Sequence, residues 1–242
     1  MKHIIISDIH SNLQAFEAVV RSFPESDNKN IICAGDIVGY GADPNVCIDM
    51  MISLGARCVL GNHDAASINK TDITYFNEWA KEAVYWTREH LDRSGYGYLE
   101  TLPYVLEDGS FTMVHGTLHC PEEFMYMDCG ARAMHTFEIL STKVCFVGHS
   151  HVPGSFILRR GSVYYRSYSE RIVLEKDARY IINVGSVGQP RDDDPRACYC
   201  IYDSDKDVVE FRRIEYDVET ARRRILDEGL PRYLGDRLLN GR

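Results

Sequence analysis

Seven side chains able to bind a metal ion stand directly behind short apolar runs in this sequence. Asp8 and His10 follow "HIIIS", Asp36 follows "IICAG", and Asn62 follows "CVLG" with His63 and Asp64 behind it. His115 closes "FTMV", and His149 and His151 follow "CFVG". Imidazole and carboxylate together suit manganese, iron, zinc or nickel better than calcium or magnesium. One divalent ion cannot use all seven groups and keep a position for a substrate. Two can, if Asp36 bridges them, because a carboxylate has two acceptor oxygens. Two ions about 3.5–4 Å apart clamp the attacking and leaving oxygens of a phosphoryl displacement. The expected cofactor is a pair of divalent transition-metal ions, manganese first, with iron, zinc or nickel as alternatives.

The charge balance agrees with phosphate chemistry. Two divalent ions bring four positive charges, and Asp8, Asp36 and a bridging hydroxide remove three. The other ligands are neutral, so the site stays positive although the chain carries a formal net charge of −9. An aspartate in place of Asn62 would cancel that surplus. The acidic total argues against bulk nucleic-acid binding, which relies on a basic face. The expected partner is a small phosphoester. The basic run "ARRRIL" at 221–226 reads as the solvated side of an amphipathic helix. No apolar run is long enough for a membrane helix, and "MKHIIISDIH" has too few apolar residues for a leader, so a cytoplasmic protein without membrane contact is expected. The eight cysteines include no C-x-x-C pair, and several sit in apolar runs, as buried reduced thiols do. Nothing in the sequence specifies an oligomeric state.

Each ligand block needs a strand to deliver it. Strand-like runs occupy 3–7, 30–34, 57–60, 111–115, 144–148, 155–159, 163–166, 180–184, 197–202 and 207–214. Residues 11–23 place Leu13, Phe16, Val19, Val20 and Phe23 at helical spacing, with Ser11 and Gln14 in capping-box positions. Asp43 and Pro44 open a second helix that Gly55 closes. Residues 72–93 carry Phe76, Trp79, Ala80, Ala83, Trp86 and Leu91 along one helical face, with both tryptophans expected in the core. The first part reads strand, helix, strand, helix, strand, which implies parallel pairing with right-handed crossovers. The later part reads as strands and hairpins, such as "RRGSVYY" at 159–165. Sheets packed on one another with helices outside follow from that mixture. No linker separates the halves, so one domain over 1–242 is expected.

In chain order, "SDIHSN" (7–12), "GDIVGYG" (35–41), "GNHD" (61–64), "VHG" (114–116) and "GHSH" (148–151) resemble the calcineurin-like metallophosphoesterase superfamily. "NVGSVGQPRDDDPRACY" (183–199) is similar to its bacterial and archaeal phosphodiesterase-like branch. The resemblance implies a four-layer αββα sandwich, two mixed β-sheets flanked by helices. It implies one metal on Asp8, His10, Asp36 and His151, and another on Asp36, Asn62, His115 and His149, with His63 as general acid. The implied reaction is in-line attack on phosphorus by a hydroxide bridging the ions while His63 protonates the departing oxygen. "GDIVGYG" lacks the arginine of the protein-phosphatase pattern "GDxVDRG", and "GNHDA" replaces "GNHE". Phosphodiesters are therefore expected ahead of phosphomonoesters or phosphoproteins. A non-enzymatic scaffold of this fold, as in the retromer subunit, departs at the general-acid histidine, which is present here. Arg191 either grips a substrate phosphate or pairs with the acidic run beside it, and the second is preferred. Asp64 either orients a histidine or caps a helix. His119 ranks below His115, and His3, His90 and His135 read as structural or surface residues. Segment 117–143 reads as a cap that shapes substrate choice or as a helix on the rim.

Overall fold

A computed structural model describes residues 1–24 and 30–242. The chain begins β1 (Lys2–Ile6), α1 (Leu13–Arg21), β2 (Ile31–Cys33), α2 (Pro44–Ser53), β3 (Arg57–Cys58) and α3 (Asn62–Ser67). It continues α4 (Glu78–His90), α5 (Arg93–Thr101), β4 (Val105–Asp108), β5 (Phe111–Val114), α6 (Gly130–Ile139), β6 (Val144–Val147) and β7 (Gly154–Arg159). The remainder is β8 (Ser162–Ser167), β9 (Arg171–Val173), β10 (Ala178–Asn183), β11 (Ala197–Asp203), β12 (Val208–Ile214), α7 (Val218–Asp227) and α8 (Arg232–Asp236).

The strands form two mixed six-stranded sheets, ordered β3-β2-β1-β11-β12-β9 and β4-β5-β6-β10-β7-β8. β1, β2 and β3 pair in parallel, as do β5, β6 and β10. Period-two alternation along β1 sets the layers. Ile5 points into a core shared by both sheets, with Ile32 and Tyr202 from one and Phe111, Phe146 and Ile182 from the other. Ile4 and Ile6 point outward onto Phe16 and Val19 of α1 and Ile48 and Met51 of α2. On the far side, Val147 and Ile181 meet Ala133 and Phe137 of α6. A strand buried on both faces must be apolar throughout, which is why "III" needs no polar alternation. The architecture is the expected helix–sheet–sheet–helix sandwich. Among the described residues, no helix is long and apolar enough to cross a membrane.

Local chemistry moved several boundaries. Asn12, not Ser11, caps α1, accepting from Ala15 N at 3.1 Å. Pro44 opens α2 as expected, but the Asp43 carboxylate makes no cap bond and takes Arg224 Nη2 at 2.9 Å instead. The single helix expected over 72–93 is broken. Asp72 closes a turn with Thr74, Asn77 then caps α4, and Asp92 caps a separate α5. Trp79 is not in the core: it is 43% exposed and stacks on Tyr233 at 4.1 Å. Trp86 packs at the edge of a core built from α4, α7 and α8. In the 159–165 hairpin, Arg160 and Gly161 both have positive φ, as a two-residue primed turn requires. All eight cysteines are free, and six are buried.

Candidate metal centre

The parallel strands release their loops at one end of the sandwich. β1 releases Asp8 and His10, β2 Asp36, β3 Asn62 and His63, β5 His115, and β6 His149 and His151. All eight are buried. Ligand atoms of Asp8, His10, Asp36 and His151 lie within 4.8 Å of one another, as do those of Asp36, His115 and His149. Asn62 Oδ1 joins the second group, 3.0 Å from His115 Nε2. Asp36 faces both groups: Oδ2 is 3.5 Å from His10 Nε2 and 3.3 Å from His115 Nε2.

The backbone is bent to make this convergence. Among the described residues, thirteen non-glycine residues have positive φ, and seven belong here: Asp8, His10, Ser11, Asp36, Tyr40, His149 and His151. The left-handed conformation costs roughly 1–2 kcal/mol per residue, and such strain collects at functional sites. Two glycines permit close approaches to Asp36 and His63. A Cβ on Gly61 would fall 2.1 Å from Asp36 Oδ1, and one on Gly39, at φ +93°, would fall 2.7 Å from His63 Nδ1.

The protonation pattern tests whether these residues suit a cation. His10 Nδ1 donates to Val38 O at 3.1 Å, His115 Nδ1 to Ala34 O at 2.7 Å and His151 Nδ1 to Gln189 O at 2.6 Å. A carbonyl only accepts, so each ring, when neutral, turns an Nε2 lone pair inward. The inward Nε2 atoms of His10 and His151 then face each other at 3.1 Å with no proton between them. Asp36 Oδ2 is buried and accepts no hydrogen bond. Burial pushes the Asp8 carboxyl up to about 7 and drives His10, His149 and His151 well below the usual imidazole range. Burial opposes charge on Asp36 and His115 as well, but their attraction wins. His115 holds Asp36 below the usual carboxylate range, and Asp36 lifts His115 to about 9. Opposed lone pairs and a carboxylate oxygen that accepts no hydrogen bond are what bound cations would satisfy, and the N/O donor set suits transition metals.

Asp64 neither orients a histidine nor only caps α3. Its Oδ2 accepts from Gly61 N at 3.1 Å and from Asp36 N at 2.8 Å, and its Oδ1 from Val38 N at 3.0 Å. It ties the β2 loop to the β3 loop. Arg191 does not pair with the acidic run beside it, contrary to the preferred sequence reading. Asp192 is taken by Arg213, Asp193 by Arg242 and Asp194 by Arg196. Arg191 instead reaches Gln189 Oε1 at 2.7 Å and lies over the Tyr40 ring, 5.7 Å from its centroid. That ring packs against His10 and His63 at 4.7 and 4.3 Å. His119 lies beside His135 at 6.1 Å, outside both ligand groups, and His3 packs between Phe111 and Tyr202.

Sequence reasoning missed the residues that hold the loops. Asn183 Nδ2 donates to Gly148 O at 2.5 Å, Ser186 Oγ to Asp8 O at 2.8 Å and Asn12 Nδ2 to Gly188 O at 2.8 Å. It also missed Tyr126, whose ring stacks on His149 at 3.8 Å. The quoted 183–199 segment was the available signal for Asn183 and Ser186, and for Tyr126 only its place in segment 117–143.

The profile of the calcineurin-like phosphoesterase superfamily domain matches residues 1–207. The chain belongs to this superfamily. An uncharacterised protein of Methanocaldococcus jannaschii is 36% identical over 250 aligned residues, covering 98% of this chain and 97% of that protein. The crystal structure of a metallophosphoesterase from Sphaerobacter thermophilus matches with a TM-score of 0.85 at 38% identity, over 100% of this chain and 99% of that one. A hypothetical protein from Pyrococcus horikoshii OT3 shares the fold at a TM-score of 0.79 and 18% identity, over 100% of this chain and 98% of that one. The family is one of metal-dependent phosphoester hydrolases, and the Asp and His groups are where this calcineurin-like fold gathers its candidate ligands.

Proposed function

We propose that this chain hydrolyses phosphodiesters, using two divalent transition-metal ions, manganese first, and His63 as proton donor. Asp8, His10, Asp36 and His151 would hold one ion, and Asp36, Asn62, His115 and His149 the other. When bound, the ions supply Lewis acidity and a hydroxide nucleophile near neutral pH. The observation that carries the reading is Asp36, whose Oδ2 accepts no hydrogen bond and stands between the imidazoles of the two groups.

The protein's own groups do the rest. His63 sits in the first turn of α3, and its backbone N donates to Asp36 Oδ1 at 2.8 Å, which fixes its place relative to the ligands. Tyr40 and Phe76 wall the ring at 4.3 and 5.2 Å. Burial pushes His63 down to about 4, so it rests neutral at pH 7. An anionic phosphoester beside it raises the ring's proton affinity, so that His63 takes a proton from solvent and passes it to the departing oxygen. Arg191, free of its acidic neighbours, supplies positive charge toward the phosphoryl oxygens.

The diester preference rests on Tyr40. It stands where the protein-phosphatase pattern carries an arginine and presents a ring, not a cation, to His63. A monoester dianion loses one partner there, whereas a diester monoanion does not need it. Reconstitution with manganese, nickel, zinc and iron tests the reading, with hydrolysis of bis(4-nitrophenyl) phosphate compared with 4-nitrophenyl phosphate. Faster diester turnover is expected. A monoester preference overturns the diester assignment, and two bound ions with no turnover of either overturn the hydrolase.

A further inference from the structure

Two cavities flank the His149–His151 loop. One, ≈ 420 Å³, is lined by none of the eight side chains of the centre. The other, ≈ 390 Å³, has Asn62, His63 and His149 among its walls and opens between residues 71–80 and 123–126. Clefts of about 300–1,000 Å³ suit small organic ligands, so the second is the approach to the centre.

Seven of the fifteen side chains around that approach are rings. Tyr126 lies flat on the His149 imidazole, at 3.8 Å and 15°. With one face covered by His149 and the residue still 44% exposed, its open surface belongs to the cleft. Phe76 leans on His63 at 5.2 Å. Tyr75, 95% exposed, and Met125, 38% exposed, also line the cleft. Scattered exposed apolar residues need no explanation, but a cluster at the entrance to a polar centre marks a binding surface. Folding does not account for Tyr75, because its ring buries almost nothing. Asp72, Asn77 and Glu123 add polar groups among these rings.

We infer that this cleft receives a planar aromatic substituent of the ester, an aryl group or a nucleobase, stacked on Tyr126 and covered by Tyr75. The inference rests on the phosphoesterase reading and names the substrate class for the same site. A flat π-face gains from offset stacking on a tyrosine, and a puckered aliphatic ring of similar bulk does not. Segment 117–143 then acts on substrate choice through Met125 and Tyr126, and the 71–77 loop acts through Tyr75 and Phe76.

The test compares dibenzyl phosphate with bis(cyclohexylmethyl) phosphate, whose leaving alcohols are similarly weak acids. The manganese-loaded protein should favour the dibenzyl ester about tenfold in kcat/KM, the gain from one or two ring contacts. Tyr75→Ala should raise KM for the dibenzyl ester severalfold and shrink the ratio, and Tyr75→Phe should restore it. Calorimetric binding of benzylphosphonate against cyclohexylmethylphosphonate gives a readout that needs no turnover. Equal rates and equal binding overturn the inference and leave the hydrolase standing. Preferred binding of benzylphosphonate with neither ester hydrolysed supports the cleft assignment and overturns the hydrolase.

Discussion

Replacing Asp64 by asparagine keeps the side chain's shape, removes its charge and adds two donors where the backbone already presents three. The Gly61, Asp36 and Val38 N–H groups converge on the carboxylate at 3.1, 2.8 and 3.0 Å. An amide has one acceptor oxygen. In its better orientation it keeps the two bonds at Oδ2 and sets its NH₂ against Val38 N–H. A hydrogen bond to a charged group contributes about 1.5–3 kcal/mol, and a buried donor left unsatisfied costs about 1–3 kcal/mol. Burial and then Asp36 push the Asp64 carboxyl up to about 7, so a neutral side chain recovers part of that loss. A net destabilisation of about 2 kcal/mol remains, which lowers Tm by about 4–8 °C in a chain of this size. Because Asp64 positions the backbone of Asp36, manganese affinity should fall about 10–100-fold, as for other partners that orient metal ligands. Thermal unfolding of the metal-stripped protein and a manganese titration measure the two effects. An Asp64→Asn variant with wild-type Tm and wild-type affinity would refute the claim that this carboxylate ties the two loops together.

His63→Ala should keep both ions and lose about 10²–10⁴-fold in turnover of alkyl diesters, with a smaller loss on 4-nitrophenyl esters, whose leaving group needs no proton. Full activity on an alkyl diester would remove His63 from the reaction. Gly39→Ala adds a methyl 2.7 Å from His63 Nδ1 at a φ of +93°. It should displace the ring and lower kcat while elemental analysis finds the metal content unchanged. In the metal-stripped protein Asp36, against burial, lifts His115 to about 9, above its unfolded value of about 6.5. Its stabilising contribution is then complete below pH ~6.5 and is lost as pH rises through about 9. Tm of the stripped protein should fall across that window, and His115→Gln should abolish this part of the fall. Because a ligand imidazole must be neutral, manganese affinity should rise over the same window; a flat affinity profile would contradict the His115 assignment.

The sequence showed the strands and the ligand blocks because both are local. Each of the ten expected strands is present to within a few residues at its ends, since an apolar run bounded by polar and glycine residues carries its own signal. Features that depend on distant partners were hidden. Trp79 stays at the surface and packs there on Tyr233, far along the chain. Arg191 is free because Arg213, Arg242 and Arg196 take its three acidic neighbours. α5, with Gly95 and Gly97 inside it, reads as a poor helix, yet Asp92 caps it and Leu99 buries fully. The short strands β4 and β9 lie at sheet edges and carry little apolar signal. The left-handed backbone at Asp8, His10, Asp36, His149 and His151 is the site's clearest structural mark, and no residue type among them announces it.

Counting metal in purified variants tests most directly whether two ions share Asp36. After manganese loading and removal of free ion, the wild-type chain should retain two equivalents. His10→Ala and His149→Ala should each retain one, and Asp36→Asn should hold neither firmly. A wild-type chain that keeps no manganese, nickel, zinc or iron would contradict the account, as would an Asp36→Asn variant that keeps two.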